Sequence, residues 1–150
     1  MEVTLLESAE IQKFMVKDHT KILKLLKNVE ENIESEFSTL MNCVEKFSWN
    51  LEKHIFTEEK ALFTAYKPGN VSEGYSMLPE VIKEHNTLLN RLHNMQNDLR
   101  KNKKIVDFYG FKELLINHKK FEEENLYPLF DQELNKKQKN QIITKIKEIV

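Results

Sequence analysis

Glycine and proline are scarce in this chain, at three residues each in 150. So few breakers, beside abundant Leu, Lys, Glu and Ile, exclude a turn-rich β architecture and favour long helices. A single cysteine, Cys43, excludes an internal disulfide and suits a reducing compartment. Charge of one sign is not in excess: 23 basic residues stand against 24 acidic ones, a formal net charge of −1. No global field therefore draws the chain to nucleic acid or to anionic lipid. No apolar run approaches transmembrane length, and Met1-Glu-Val-Thr is not the basic start of a signal peptide. The expectation is a cytoplasmic all-α protein with residues 1–150 forming one domain.

Apolar stripes at helical spacing place five helices. The first runs from about Ser8, a capping residue, to about Asn32, with Ile11, Met15, Ile22, Leu26 and Val29 as its buried face. The second runs from about Ser38 to Tyr66 and is broken by Lys67-Pro68-Gly69-Asn70. The third starts near Pro79, or a turn earlier, and ends near Arg100. The fourth runs from about Val106 into Asn125 and stops at Tyr127-Pro128, because proline disfavours helix in the residue before it. A short fifth helix opens near Asn135 and carries Ile142, Ile143, Ile146 and Ile149. Lys136-Lys-Gln-Lys139 reads as its solvated start. Phe47, Trp49 and Phe111 read as core, with walling a metal pocket as the alternative.

Two stretches of the chain are near copies. His54-Ile-Phe-Thr-Glu58-Glu59-Lys-Ala-Leu62-Phe63 and His118-Lys-Lys-Phe-Glu122-Glu123-Glu-Asn-Leu126-Tyr127 both read H-x3-E-E-x2-L-[FY]. Two more segments also match: Asp18-His19-Thr-Lys-Ile22-Leu23 and Glu84-His85-Asn-Thr-Leu88-Leu89. The chain is thus two copies of one helical hairpin, with a His on the first helix and His-x3-Glu on the second. Stacked, they make a four-helix bundle with pseudo-twofold symmetry.

The four repeated histidines sit inside apolar stripes, so they are expected in the core. A buried glutamate without a partner must be neutralised or pushed out, and a cation removes that conflict. At about 100° per residue, a spacing of four lands roughly 40° from the His and a spacing of five roughly 140° away. Glu58 and Glu122 are therefore the expected ligands, and Glu59, Glu123 and Glu124 are solvated or one layer out. The candidate metal set is His19, His54, Glu58, His85, His118 and Glu122. Imidazole with carboxylate suits iron, manganese or zinc. If both glutamates bridge, two ions each receive two nitrogens and two carboxylate oxygens. An oxo or hydroxo bridge would make five ligands and leave an octahedral iron one open position. His93 has no repeat partner and reads as a surface or cap residue. Cys43, three turns before His54, is too far away to be a ligand.

This pattern resembles the hemerythrin-like, or HHE cation-binding, domains, over roughly Glu10 to Phe130. The resemblance implies an up-down-up-down bundle with a non-haem di-iron centre in its core, with two iron ions rather than manganese or zinc, in which the four histidines are terminal ligands and the two glutamates bridge. The oxygen carriers of that family have a fifth histidine in an H-x3-H pair. Here Leu89 and Val81 stand four residues to either side of His85. They also have an Asp five residues after the last His, where this chain has Glu123. The chain is closer to the branch with four His and two Glu, which includes bacterial di-iron proteins of iron–sulfur cluster repair and nitric oxide stress; their usual N-terminal cysteine-containing domain is not in this sequence. The expected function is binding of dioxygen or nitric oxide for sensing, scavenging or storage. The alternatives are a repair or stress enzyme on the same site, and a helical interaction module with a structural metal. Whether the chain is an enzyme, and what its electron donor is, stay open.

Overall fold

All regular structure among the described residues, 10–66 and 73–149 of a computed structural model, is helical. Helix α1 spans Glu10–Glu31, α2 Phe37–Thr57, α3 Glu73–Arg100 and α4 Phe108–Phe121. Two π-helical segments interrupt the ladder. Glu58–Phe63 follows α2, and Glu122–Leu126 follows α4 and leads into a further α-helical extension, Tyr127–Glu133. Helix α5, Lys136–Ile149, closes the chain. Each of α1 to α3 packs on the next in sequence, and the Tyr127–Glu133 extension returns to α1, closing the bundle.

The buried positions of α1 are Ile11, Met15, His19, Ile22, Leu26 and Val29, the three-and-four spacing of one helical face. On all four helices the histidine marks a change of core. Ile22, Leu26, Leu51, Leu88, Leu92, Phe111 and Leu115 belong to one apolar cluster. Ile11, Met15, Leu62, Val81, Leu126 and Phe130 belong to another. Between the two lies a layer of buried His and Glu side chains.

Several local expectations are corrected. Pro79 lies inside α3 rather than at its start. Pro128 does not stop the fourth helix. It stands in the first turn of the Tyr127–Glu133 extension, directly after the π segment, where the nearby Glu123 carbonyl accepts from the Gln12 side-chain amide at 3.0 Å. Helix α4 starts at Phe108 because Asp107, in the left-handed region at φ 57°, caps it by accepting a hydrogen bond from the Gly110 amide at 3.1 Å. A Cβ on residue 110 would meet Asp107 Oδ2 at 2.3 Å, so any larger residue there would displace the capping carboxylate. Asn135 does open α5, through a reciprocal cap: the Gln138 amide donates to Asn135 Oδ1 at 2.8 Å and the Asn135 amide to Gln138 Oε1 at 2.9 Å. Ser8 and the Lys67–Asn70 break lie outside the described residues.

Trp49 is not core: it is 68% exposed, whereas Phe47 and Phe111 are buried edge to face. Nor is the basic run wholly solvated. Lys139 is buried, with Nζ 3.4 Å from Asp131 Oδ1. Asp131 also accepts the first amides of α1, from Ile11 and Gln12, each at 2.9 Å. One carboxylate thus ties α1, α5 and the end of the fourth helix together. Removing one partner of a buried charge pair typically costs about 3–5 kcal/mol. We expect Asp131→Ala to lower stability on that scale in chemical denaturation, and Lys137→Ala, on the exposed side of the same run, to leave the midpoint unchanged.

Candidate metal centre

The polar layer is built from two repeats of the same contacts. Helix α1 supplies His19, α2 supplies His54, α3 supplies His85 and α4 supplies His118. Glu58 and Glu122 are the first residues of the two π segments. All six are buried, and Glu58, His85 and Glu122 have no exposed surface. Within each hairpin the four-residue spacing brings imidazole and carboxylate together: His54 Nε2 is 2.9 Å from Glu58 Oε1, and His118 Nε2 is 3.3 Å from Glu122 Oε1. The glutamates also reach the other hairpin. His19 Nε2 lies 3.2 Å from Glu122 Oε1, and His85 Nε2 lies 3.4 Å from Glu58 Oε1. Two groups of potential ligands result: His19, His54, Glu58 and Glu122, and His85, His118, Glu58 and Glu122. In each, one ligand atom per residue lies within 4.8 Å of all the others.

The outer side of every histidine is also occupied. His54 Nδ1 is 2.5 Å from Asp18 Oδ2, and His118 Nδ1 is 2.6 Å from Glu84 Oε1. His85 Nδ1 is 2.7 Å from Glu59 Oε2, and His19 Nδ1 is 2.7 Å from Glu123 Oε2. A carboxylate only accepts, so each Nδ1 donates and each Nε2 is left facing inward, the orientation in which carboxylates hold metal-binding histidines. Asp18 and Glu84 serve the second helix of their own hairpin, while Glu59 and Glu123 serve the opposite hairpin. The repeated acid before His19 and His85 was the sequence signal for Asp18 and Glu84. Glu59 and Glu123 stand one layer out, and the wider π turn keeps them at the edge of the site. Glu124 is exposed, as expected. His93 is exposed and paired with Glu52 at 3.1 Å, and Cys43 is buried in the apolar cluster away from the site.

One further residue faces the layer. Tyr127 is fully buried, and its hydroxyl lies 3.0 Å from Glu58 Oε2, 3.1 Å from Glu122 Oε1 and 3.2 Å from His19 Nε2. The repeat equivalent is Phe63, whose ring stacks parallel to His85 with centroids 6.0 Å apart. The [FY] position at the end of the duplicated motif was its only sequence signal.

The donors fit a cation. Glu58 Oε1, Glu122 Oε2 and the Nε2 atoms of His85 and His118 are buried yet make no hydrogen bond. Orphaned polar atoms at this depth are costly unless something else meets them, and here all four face the same layer. Without a cation, protons balance the charge instead. Burial lowers the His54 and His85 pKa values, but Glu58, Asp18 and Glu122 outweigh it at His54, and Glu122 and Glu58 outweigh it at His85. The values reach about 10 and about 11. His118 is likewise raised: burial opposes the shift and Glu122 drives it. Burial raises the Glu122 carboxyl, but its contacts with Glu58, His118, His19 and His85 hold it well below the carboxylate range. Asp18 is also held low against its burial, mainly by His54. Burial and the two glutamates push the Tyr127 phenol well up.

A family model for the Hemerythrin HHE cation binding domain matches residues 10–130 of this chain. No curated protein and no solved structure matches it.

Three outcomes are expected. A divalent cation entering at pH 7 must displace imidazole protons, so its apparent affinity should rise with pH towards 10, and calorimetry in buffers of different ionisation enthalpy should report net proton release. Without the cation, the stabilisation from His54 and His85 is complete below pH 6.5 and is lost as pH rises through about 10 and 11. That from Glu122 is complete above 4.5 and is lost as pH falls through its lowered value. Metal-free melting temperature should therefore fall at both extremes. Glu84→Gln and Asp18→Asn should each weaken cation binding by about 10–100-fold in competition with a chelator, with the helical content retained.

Proposed function

The chain belongs to the hemerythrin HHE cation-binding family, and on that premise we propose that it is a non-haem di-iron protein that binds dioxygen or nitric oxide for sensing, scavenging or storage. The supporting observation is the double shell: six inward-facing imidazole and carboxylate donors, with an outer carboxylate on every imidazole. His19, His54, Glu58, His85, His118 and Glu122 are the proposed ligands, with Glu58 and Glu122 shared between the two positions. The donor set is hard to borderline, without thiolate, which favours iron over softer metals. When bound, the iron pair would supply redox-active metal with a coordination position for a small molecule.

The surroundings favour a small, uncharged ligand. Beside His19, His54 and His118 lies a narrow cavity walled by Ile22, Leu23, Leu51, Ile55, Leu88 and Leu115, with Lys119 also lining it and room for about one water-sized molecule. Such mostly apolar walls suit a diatomic gas. Residues of the same layer exclude bulk water, and the outer carboxylates hold the imidazoles in one orientation, so binding requires little rearrangement.

The deciding experiment is metal analysis of anaerobically purified protein, followed by optical spectra with each gas. We expect two irons per chain and a spectral change when dioxygen or nitric oxide meets the reduced protein. A gas-insensitive spectrum would remove the gas-binding reading. Turnover of nitric oxide or peroxide, or iron transfer to an apo-cluster protein, would shift the reading to a stress or repair enzyme. One tightly held zinc and no iron would favour a structural site.

A further inference from the structure

The two halves of the layer are not equivalent, and the difference lies in one atom. Phe63 and Tyr127 occupy the same position in the two repeats, five residues after Glu58 and Glu122. Phe63 presents a flat apolar ring to His85. Tyr127 presents a hydroxyl to His19, which belongs to the other ligand group alone, at 3.2 Å, and to the shared Glu58 and Glu122 at 3.0 and 3.1 Å. An oxygen that faces three ligands of one cation position at hydrogen-bonding distance is placed to become a third kind of ligand, beside imidazole and carboxylate, when a cation draws them together. The hydroxyl is fully buried in the apolar cluster of Phe130 and Tyr66, and the layer is the only polar surface it is shown to face.

We propose that Tyr127 is a position-specific ligand to the cation held by His19 and His54, making the two positions of the site unequal. This rests on the di-metal reading above. The His19–His54 position would then have five protein donors: two imidazoles, two shared carboxylates and the phenol oxygen, whose proton leaves to solvent as the cation enters. The His85–His118 position has four and faces Phe63, which offers none. The position with fewer protein donors is therefore the one held by His85 and His118.

The test uses the full chain loaded with ferrous iron and oxidised in air. Metal analysis comes first: fewer than two irons per chain overturns both the di-metal reading and this one. With two irons bound, resonance Raman excitation of the visible band should show tyrosinate ring modes in the wild type, and Tyr127→Phe should lose them while still holding two irons. Absence of the modes from the two-iron wild type overturns the proposal and leaves the di-metal reading standing. So does their persistence in Tyr127→Phe. Should Tyr127→Phe fail to fold, Tyr66→Phe, which removes the neighbouring buried phenol hydrogen-bonded to Glu133, must leave the modes in place; their loss there assigns them to Tyr66 and overturns the proposal.

Discussion

Two carboxylates lie at the centre of this bundle with no exposed surface, and most of the architecture answers to them. In a core of Leu, Ile and Phe, an anion without a counter-charge is costlier than any single apolar contact can offset. The fold surrounds Glu58 and Glu122 with four imidazoles, one from each helix, and gives each imidazole a second carboxylate on its far side. Charge therefore alternates outward from the centre, from glutamate to histidine to acid, until it reaches the partly exposed rim. The apolar core is split into two clusters because that layer passes through it.

The arrangement also explains the irregular stretches. An α-helix turns its next residue about 100° onward, which would send Glu59 and Glu123 away from the site. Both helices change to π geometry at the central glutamate, and the acid that follows remains against the histidine of the opposite hairpin. Such local widening costs regular hydrogen bonding and is found mostly where a site demands it.

Much of this was legible in the sequence because helical spacing is a strong constraint. The stripes of α1 and α3, the duplicated hairpin and the convergence of six ionisable side chains all follow from three-and-four periodicity and from the repeat. What escaped was set by contacts between distant residues. Nothing local marks Lys139 for burial; its partner Asp131 comes from the preceding helix and is itself committed to the amides of Ile11 and Gln12. Trp49 occupies an outward position on α2 where the bundle has no neighbour to cover it. Pro128 reads as a stop because proline disfavours helix in the residue before it, yet it is tolerated in the first turn of an α segment, and here the chain runs on to Glu133. Tyr127 and Phe63 were grouped as one motif position, although a single hydroxyl separates a polar contact from an apolar one.

The outer carboxylates cross over: Glu59 steadies a histidine of the second hairpin, and Glu123 one of the first. Neither hairpin, cut from the other, contains a complete set for even one cation position. Two identical hairpins associating about a twofold axis would recreate each of these crossed contacts in duplicate, so the layer has the logic of a homodimer interface enclosed in one polypeptide. Joining the halves releases them from identity. A dimer of equal chains would carry Tyr at both places or Phe at both, whereas the fused chain holds one of each.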